Sequence, residues 1–103
     1  MTFYSSGRWC ARDGEEEDFV REWTDFARWL SSFDGAGSPR LTQDANDSGR
    51  FISFAEWASM EAMRAWKSHP EFPERMKRVR QHTTAFQPDE LELIVEIEAG
   101  APA

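Results

Sequence analysis

The sequence predicts a small α+β domain whose elements run in the order βαββαβ and whose four strands form one antiparallel sheet. Three observations predict it. The chain is 103 residues long, which leaves room for one modest core. Its apolar residues change period along the chain, from strand-like to helical and back. Turn-forming clusters, Asp34-Gly35-Ala36-Gly37-Ser38-Pro39 and Asn46-Asp47-Ser48-Gly49, separate the periodic segments.

Phe3 to Arg12 has the length of one strand and ends at Asp13-Gly14, a turn or helix-start signal. Beyond it Phe19, Val20, Trp23, Phe26, Ala27 and Leu30 recur at helical spacing, which predicts an amphipathic helix from Glu15 to about Ser32 with Asp13 as its N-cap. Glu15, Glu16, Glu17 and Asp18 then fall in the first turn. There the positive end of the helix dipole favours each carboxylate by roughly 0.3–1 kcal/mol, so the acidic run reads as structural. Arg40–Ala45 and Arg50–Ala58 flank Asn46-Asp47-Ser48-Gly49 and read as an antiparallel hairpin. Ser59 can cap a second helix with Glu61 in its first turn; Pro70 interrupts it, and Phe72, Met76, Val79 and Thr83 continue one apolar stripe. The last strand is expected over Glu90–Glu98, where glutamates alternate with Leu91, Leu93, Val95 and Ile97 as on a half-buried edge. The domain would span residues 1–98, with 99–103 a disordered tail.

Composition removes several function classes. A net charge of -7 and a pI near 4.8 argue against a surface that tracks phosphates, and so against nucleic acid as a partner. No apolar run approaches the roughly 20 residues needed to cross a bilayer, and the N-terminus lacks a basic start followed by an apolar stretch. The expectation is a cytoplasmic protein without a membrane partner. The single cysteine, Cys10, cannot form an internal disulfide and reads as a small buried hydrophobe. His69 and His82 have no metal-ligand spacing, so no metal site is expected.

Aromatic content is 14%, with five Trp and eight Phe, enough for large core pieces or for a cavity that takes a flat ligand. The βαββαβ order, a ferredoxin-like arrangement, puts both helical crossovers on one sheet face. The strand Arg50–Ala58 is apolar on both: Phe51, Ala55 and Trp57 point one way, Ile52 and Phe54 the other. An uncovered apolar face costs about 25 cal/mol per Å², and the simplest cover is the sheet of a second copy, giving a homodimeric α/β barrel.

The acidic first helix EEEDFVREWTDFARWL, the glycine-bearing loop, the hairpin ending RFISFAEW, and MEAMRAWKSHPEF followed by ERMKRVR together resemble the antibiotic biosynthesis monooxygenase family of the dimeric α/β-barrel superfamily. The resemblance runs from about Phe3 to Ile97. It implies oxidation of an electron-rich aromatic compound by molecular oxygen with neither metal nor flavin, in a dry slot with a few polar groups. The strand that brings an Asn and a Trp into the pocket of the family's anthrone oxidases corresponds here to Ser53 and Trp57, with Ser53 in place of the Asn. The haem-degrading branch relies on an Asn, a Trp and a His ligand; Gly7, Trp66 and Met76 stand there, so the axial His is absent.

The candidate catalytic residues are therefore Ser53 as hydrogen-bonding group, Trp57 as aromatic wall and His82 as base, a neutral imidazole being able to accept a phenolic proton near pH 7. Trp9, Trp23, Trp66, Phe72 and Met76 are candidate ligand contacts, and each Trp is equally what a core position looks like. Glu56 faces away from Trp57, toward the expected dimer side. Arg75, Lys77, Arg78 and Arg80 skip the apolar positions and read as a solvated helix face. Two functions follow: a cofactor-independent monooxygenase acting on a small quinol-like or polycyclic phenolic compound, or a non-catalytic dimeric binding or stress-related module.

Overall fold

The sheet is built outward from β1 (Phe3–Ala11), which pairs antiparallel on one side with β3 (Asp47–Trp57) and on the other with β4 (Thr83–Glu92). A short β2 (Arg40–Asp44) adds to the far edge of β3, giving the order β2-β3-β1-β4. The computed structural model describes residues 1–100, so the tail expected over 99–103 lies partly outside the described residues. Three helices, α1 (Glu16–Leu30), α2 (Met60–Lys67) and α3 (Phe72–Arg80), join these strands. The break between α2 and α3 falls at the Pro70 interruption, and the ferredoxin-like βαββαβ order holds with the second helix split in two.

Alternation along the central strands decides what the helices cover. Trp9, Ala11, Phe51, Ala55 and Trp57 are buried on one face, together with Ser5 and Ser53. They meet Phe19, Phe26 and Leu30 of α1, Met63 and Trp66 of α2 and Val79 of α3 in a single core cluster. Trp57, Phe19, Met63 and Val79 are wholly enclosed; large side chains in such places stabilise by roughly 1.5–3 kcal/mol each.

Local chemistry departs from expectation at three places. The first is the start of α1, where Glu15 and not Asp13 holds the N-cap position, without a side-chain capping bond. Gly14 takes φ 81°, a left-handed turn open to glycine, which leaves Asp13 two residues too early to cap. Ser59, by contrast, caps α2 as expected, its Oγ accepting from the Ala62 N–H at 3.0 Å.

The hairpin also turns earlier than the Asn46–Gly49 cluster suggests. Asp44 pairs with Asp47, so the reversal is Ala45-Asn46, and Asp47 already belongs to β3. The surplus residues go into an irregularity: Gln43 pairs with Phe51 although Asp44 pairs with Asp47. Asp44 and Asp47 bind the backbone N–H groups of Asn46 and Gly49 at 2.7 and 3.0 Å, which fixes the turn.

The largest correction is β4, which runs over Thr83–Glu92 and not Glu90–Glu98. Its partner strand decides this. β1 begins at Phe3 opposite Glu92, so past a last bond from the Leu93 N–H to the Thr2 carbonyl the alternating segment has no neighbour with which to pair. Ile94, Val95 and Ile97 are consequently 79, 71 and 83% exposed. Thr83, placed by periodicity on the α3 stripe, is buried but belongs to β4, its hydroxyl donating to the Arg80 carbonyl at 2.8 Å.

Candidate functional site

The sheet surface under the helices is shallow at its centre because β1 and β3 both place small residues there. β1 reads Ser5-x-Gly7-x-Trp9 and β3 reads Ser53-x-Ala55-x-Trp57, and the antiparallel register sets Gly7 opposite Ser53 and Ser5 opposite Ala55. Each tryptophan then reaches diagonally to the serine of the other strand. Trp9 Nε1 donates to Ser53 Oγ at 2.9 Å, and Trp57 Nε1 donates to Ser5 Oγ at 3.0 Å. The first bond needs glycine at position 7: a Cβ there would stand 2.7 Å from Trp9 Nε1 and 3.0 Å from Ser53 Oγ.

Above this floor lies a cavity of about 300 Å³. A cavity of about 150 Å³ holds one benzene ring, so the space suits a fused two- or three-ring compound. Trp9, stacked on Phe86 at 4.1 Å between centroids, forms one wall. Trp66 with Phe72 edge-on at 5.0 Å forms another, and Trp23, Phe26 and Leu30 of α1 form the roof. Met76 and Arg80 approach from α3.

Polar groups are few in this lining and none is acidic. Among its residues Ser5, Ser6, Ser53, Lys67 and Arg80 carry the polar side chains, and no Asp, Glu or His contributes. Ser5 and Ser53 each accept an indole N–H and donate to no protein acceptor among the described residues, so both O–H groups remain available to a ligand. Lys67 is held by Glu90 at 3.2 Å. Arg80 is exposed, with its guanidinium 5.5 Å from the centre of the Phe86 ring.

The structure brings Ser53, Trp9, Trp23, Trp66, Phe72 and Met76 together in the lining. Trp57 stands behind it: fully buried, it acts on the cavity through Trp66, on which it stacks at 5.4 Å, and through Ser5. His82 does not join them. Its Nδ1 lies 2.9 Å from Glu15 Oε1, at the junction of the α1 start and the α3 end, outside the lining. Ser5 and Arg80 were not anticipated. Ser5 was signalled by the repeat of Ser-x-small-x-Trp on two strands; Arg80 carried no signal, since helical spacing alone assigned it to solvent. No three His, Cys, Asp or Glu side chains among the described residues come together as a metal site. No helix among them is long and apolar enough to cross a membrane.

A ferredoxin-like sheet with an aromatic cavity between its floor and its helices defines a small α+β protein with room for a flat ligand. The chain belongs to the antibiotic biosynthesis monooxygenase family, whose sequence model matches residues 3–78. The solved structure of SnoaB, a cofactor-independent oxygenase from Streptomyces nogalater, is similar to it with a TM-score of 0.83 at 14% identity, covering 97% of this chain and 98% of that one. Rv0793 from Mycobacterium tuberculosis gives 0.80 at 16% identity over 95% of this chain and 100% of that one. A conserved protein from Methanosarcina mazei Go1 gives 0.78 at 8% identity over 87 and 90% of the two chains. At such identities the likeness carries the fold alone. No curated protein matches the sequence.

Proposed function

We propose that this protein is a cofactor-independent monooxygenase that oxidises a small quinol-like or polycyclic phenolic compound with molecular oxygen, acting as a cytoplasmic homodimer joined through the open sheet faces. The observation that carries the reading is the cavity: apolar, aromatic-walled, sized for fused rings, and provided with hydroxyl donors on its floor. Family membership supports the same class of chemistry.

In such a reaction the substrate supplies the electrons. Once a phenolic or enolic proton is lost, the electron-rich ring reduces dioxygen and combines with it; a peroxide forms at a ring carbon bearing hydrogen. Collapse of the peroxide leaves one oxygen on that carbon as a carbonyl, while the other departs as water with the two hydrogens. The protein's part is to hold the ring, exclude bulk water and stabilise negative charge on oxygen. Ser53 donates to a substrate oxygen, Trp9 and Trp66 flank the ring, and Trp57 positions Ser5 from behind. His82, paired with Glu15 away from the lining, has no direct part.

The absence of Asp, Glu and His from the lining also favours a second reading, a non-catalytic module that binds the same kind of compound. Oxygen uptake separates the two. With a panel of hydroquinones and anthrones, the proposal expects consumption above the uncatalysed rate and a loss of at least about tenfold in Ser53→Ala. No compound turned over above background would overturn it in favour of binding alone.

The open face supports the dimer. It carries Tyr4, Ile52, Phe54 and Leu91, and Ile52 and Leu91 are 49 and 47% exposed in the single chain. Large side chains left half in water on one side of a sheet are what a second sheet covers.

A further inference from the structure

The charge of the cavity runs opposite to the charge of the chain. The protein carries a net charge of -7, yet the charged residues in the lining, Lys67 and Arg80, are both cations. Glu90 neutralises Lys67 at 3.2 Å. Arg80 has no carboxylate within ion-pair distance among the described residues, a state it shares with Arg12, Arg40, Arg50 and Arg78, but it alone of these five lines the cavity. Its guanidinium lies instead against Phe86, the ring that stacks on Trp9, whose indole in turn donates to Ser53. A free cation therefore stands at one end of a continuous aromatic wall, and a hydroxyl donor stands at the other.

Guanidinium is planar and presents several N–H donors in a fixed fork, so it favours a flat oxyanion that can lie in its plane. The two serines add directionality. Each Oγ already accepts an indole N–H, which polarises its own O–H for donation. Ser5 and Ser53 are diagonal neighbours on adjacent strands, roughly 7–8 Å apart along the sheet, a separation that addresses two oxygens on one ring system better than a single atom.

We infer that the cavity takes its ligand as an oxyanion: a fused-ring aromatic whose acidic oxygen meets Arg80 at the mouth, while ring-carbonyl oxygens accept from the hydroxyls of Ser5 and Ser53. This deepens the proposed function and rests on the cavity being the working site. It also accounts for a lining without a carboxylate or imidazole to take a proton. A ligand that arrives ionised leaves its proton in water, and the cavity selects the anion.

Two probes that differ at one position test this: 2-hydroxy-1,4-naphthoquinone, ionised at neutral pH, and its methyl ether, which cannot ionise. Neither requires turnover, and quenching of tryptophan fluorescence reads binding. The wild-type protein is expected to bind the hydroxy compound at least about tenfold more tightly than the ether. Arg80→Met, at an exposed side chain where substitution is expected to leave stability nearly unchanged, should abolish this preference and leave affinity for the ether within about twofold. Ser5→Ala and Ser53→Ala should each weaken both probes several-fold. Equal affinities in the wild-type protein, a preference that survives Arg80→Met, or no binding of either probe would overturn the inference. Failure of the oxygenase reading looks different: no oxygen uptake from any quinol, with the charge preference intact.

Discussion

The two faces of the sheet are made from the same strands, residue by residue in alternation, yet they follow opposite rules. Under the helices, β1 and β3 contribute Ser5, Gly7, Trp9, Ser53, Ala55 and Trp57, all small or very large, with both indole N–H groups matched to hydroxyls. On the open side the same strands contribute Tyr4, Arg8, Ile52, Phe54 and Glu56, of middling size and mixed character. Arg8 there makes an exposed ion pair with Asp89 at 3.3 Å. The first face is close-packed around Trp57 and, at Gly7, has no space for an added carbon, while the cavity lies over the rest of it. The second leaves large side chains half in water, waiting on another surface. One face is therefore specified by shape and the other by what it meets.

Substitution at the centre of the packed face should have the largest effect. Gly7→Ala puts a carbon 2.7 Å from Trp9 Nε1, so the indole must give up its bond to Ser53 and shift on its Phe86 stack to make room. Overpacking together with loss of the Trp9–Ser53 bond should cost about 3 kcal/mol, read as a lower midpoint in urea unfolding at unchanged slope. Unfolding at the wild-type midpoint would show that the indole moves aside without cost, and the packed face would be less strictly specified than its geometry implies.

A smaller loss is expected at Trp57, and it distinguishes packing from positioning. Trp57→Phe keeps an aromatic ring against Trp66 but removes the N–H that Ser5 accepts. Stability should fall by about 2 kcal/mol, part cavity and part hydrogen bond. Ligand affinity should fall too, although Trp57 is not in the cavity lining, because Ser5 loses the partner that orients it. Calorimetric titration of the variant with a hydroxynaphthoquinone checks this; unchanged affinity would make Trp57 a core residue and nothing more.

The same contrast explains what could be read in the sequence. Period and turn chemistry located β1, α1, the hairpin, the Ser59 cap and the Pro70 break, because each is decided within a few neighbouring residues. β4 was misplaced because its true span, Thr83–Glu92, carries few apolar residues and a proline, which an edge strand accepts where it makes no ladder bond. Leu93–Glu98 has the alternation of a strand but no strand beside it, and a pattern names a face without naming a neighbour. The cavity shows the same division. Its aromatic walls were expected from composition and resemblance, whereas Ser5 enters through a diagonal bond between strands, and Arg80 through the stacking of its guanidinium on a β4 side chain. Both are tertiary facts.

The open face should respond least as a folded chain and most as an assembly. Ile52 is 49% exposed in the single chain, so Ile52→Ser should change the stability of an isolated subunit by no more than about 0.5 kcal/mol. If two sheets meet there, the substitution replaces apolar surface at the centre of the contact by a hydroxyl that must find a partner. Dimer dissociation should then shift by about tenfold or more, since an interface residue buried from both sides carries more than its share. Sedimentation velocity over a micromolar concentration series reads the effect directly. The wild-type protein should sediment as a dimer and Ile52→Ser should dissociate toward monomer on dilution. A wild-type monomer at every concentration would mean that Tyr4, Ile52, Phe54 and Leu91 remain in water, and the two faces would differ in packing alone.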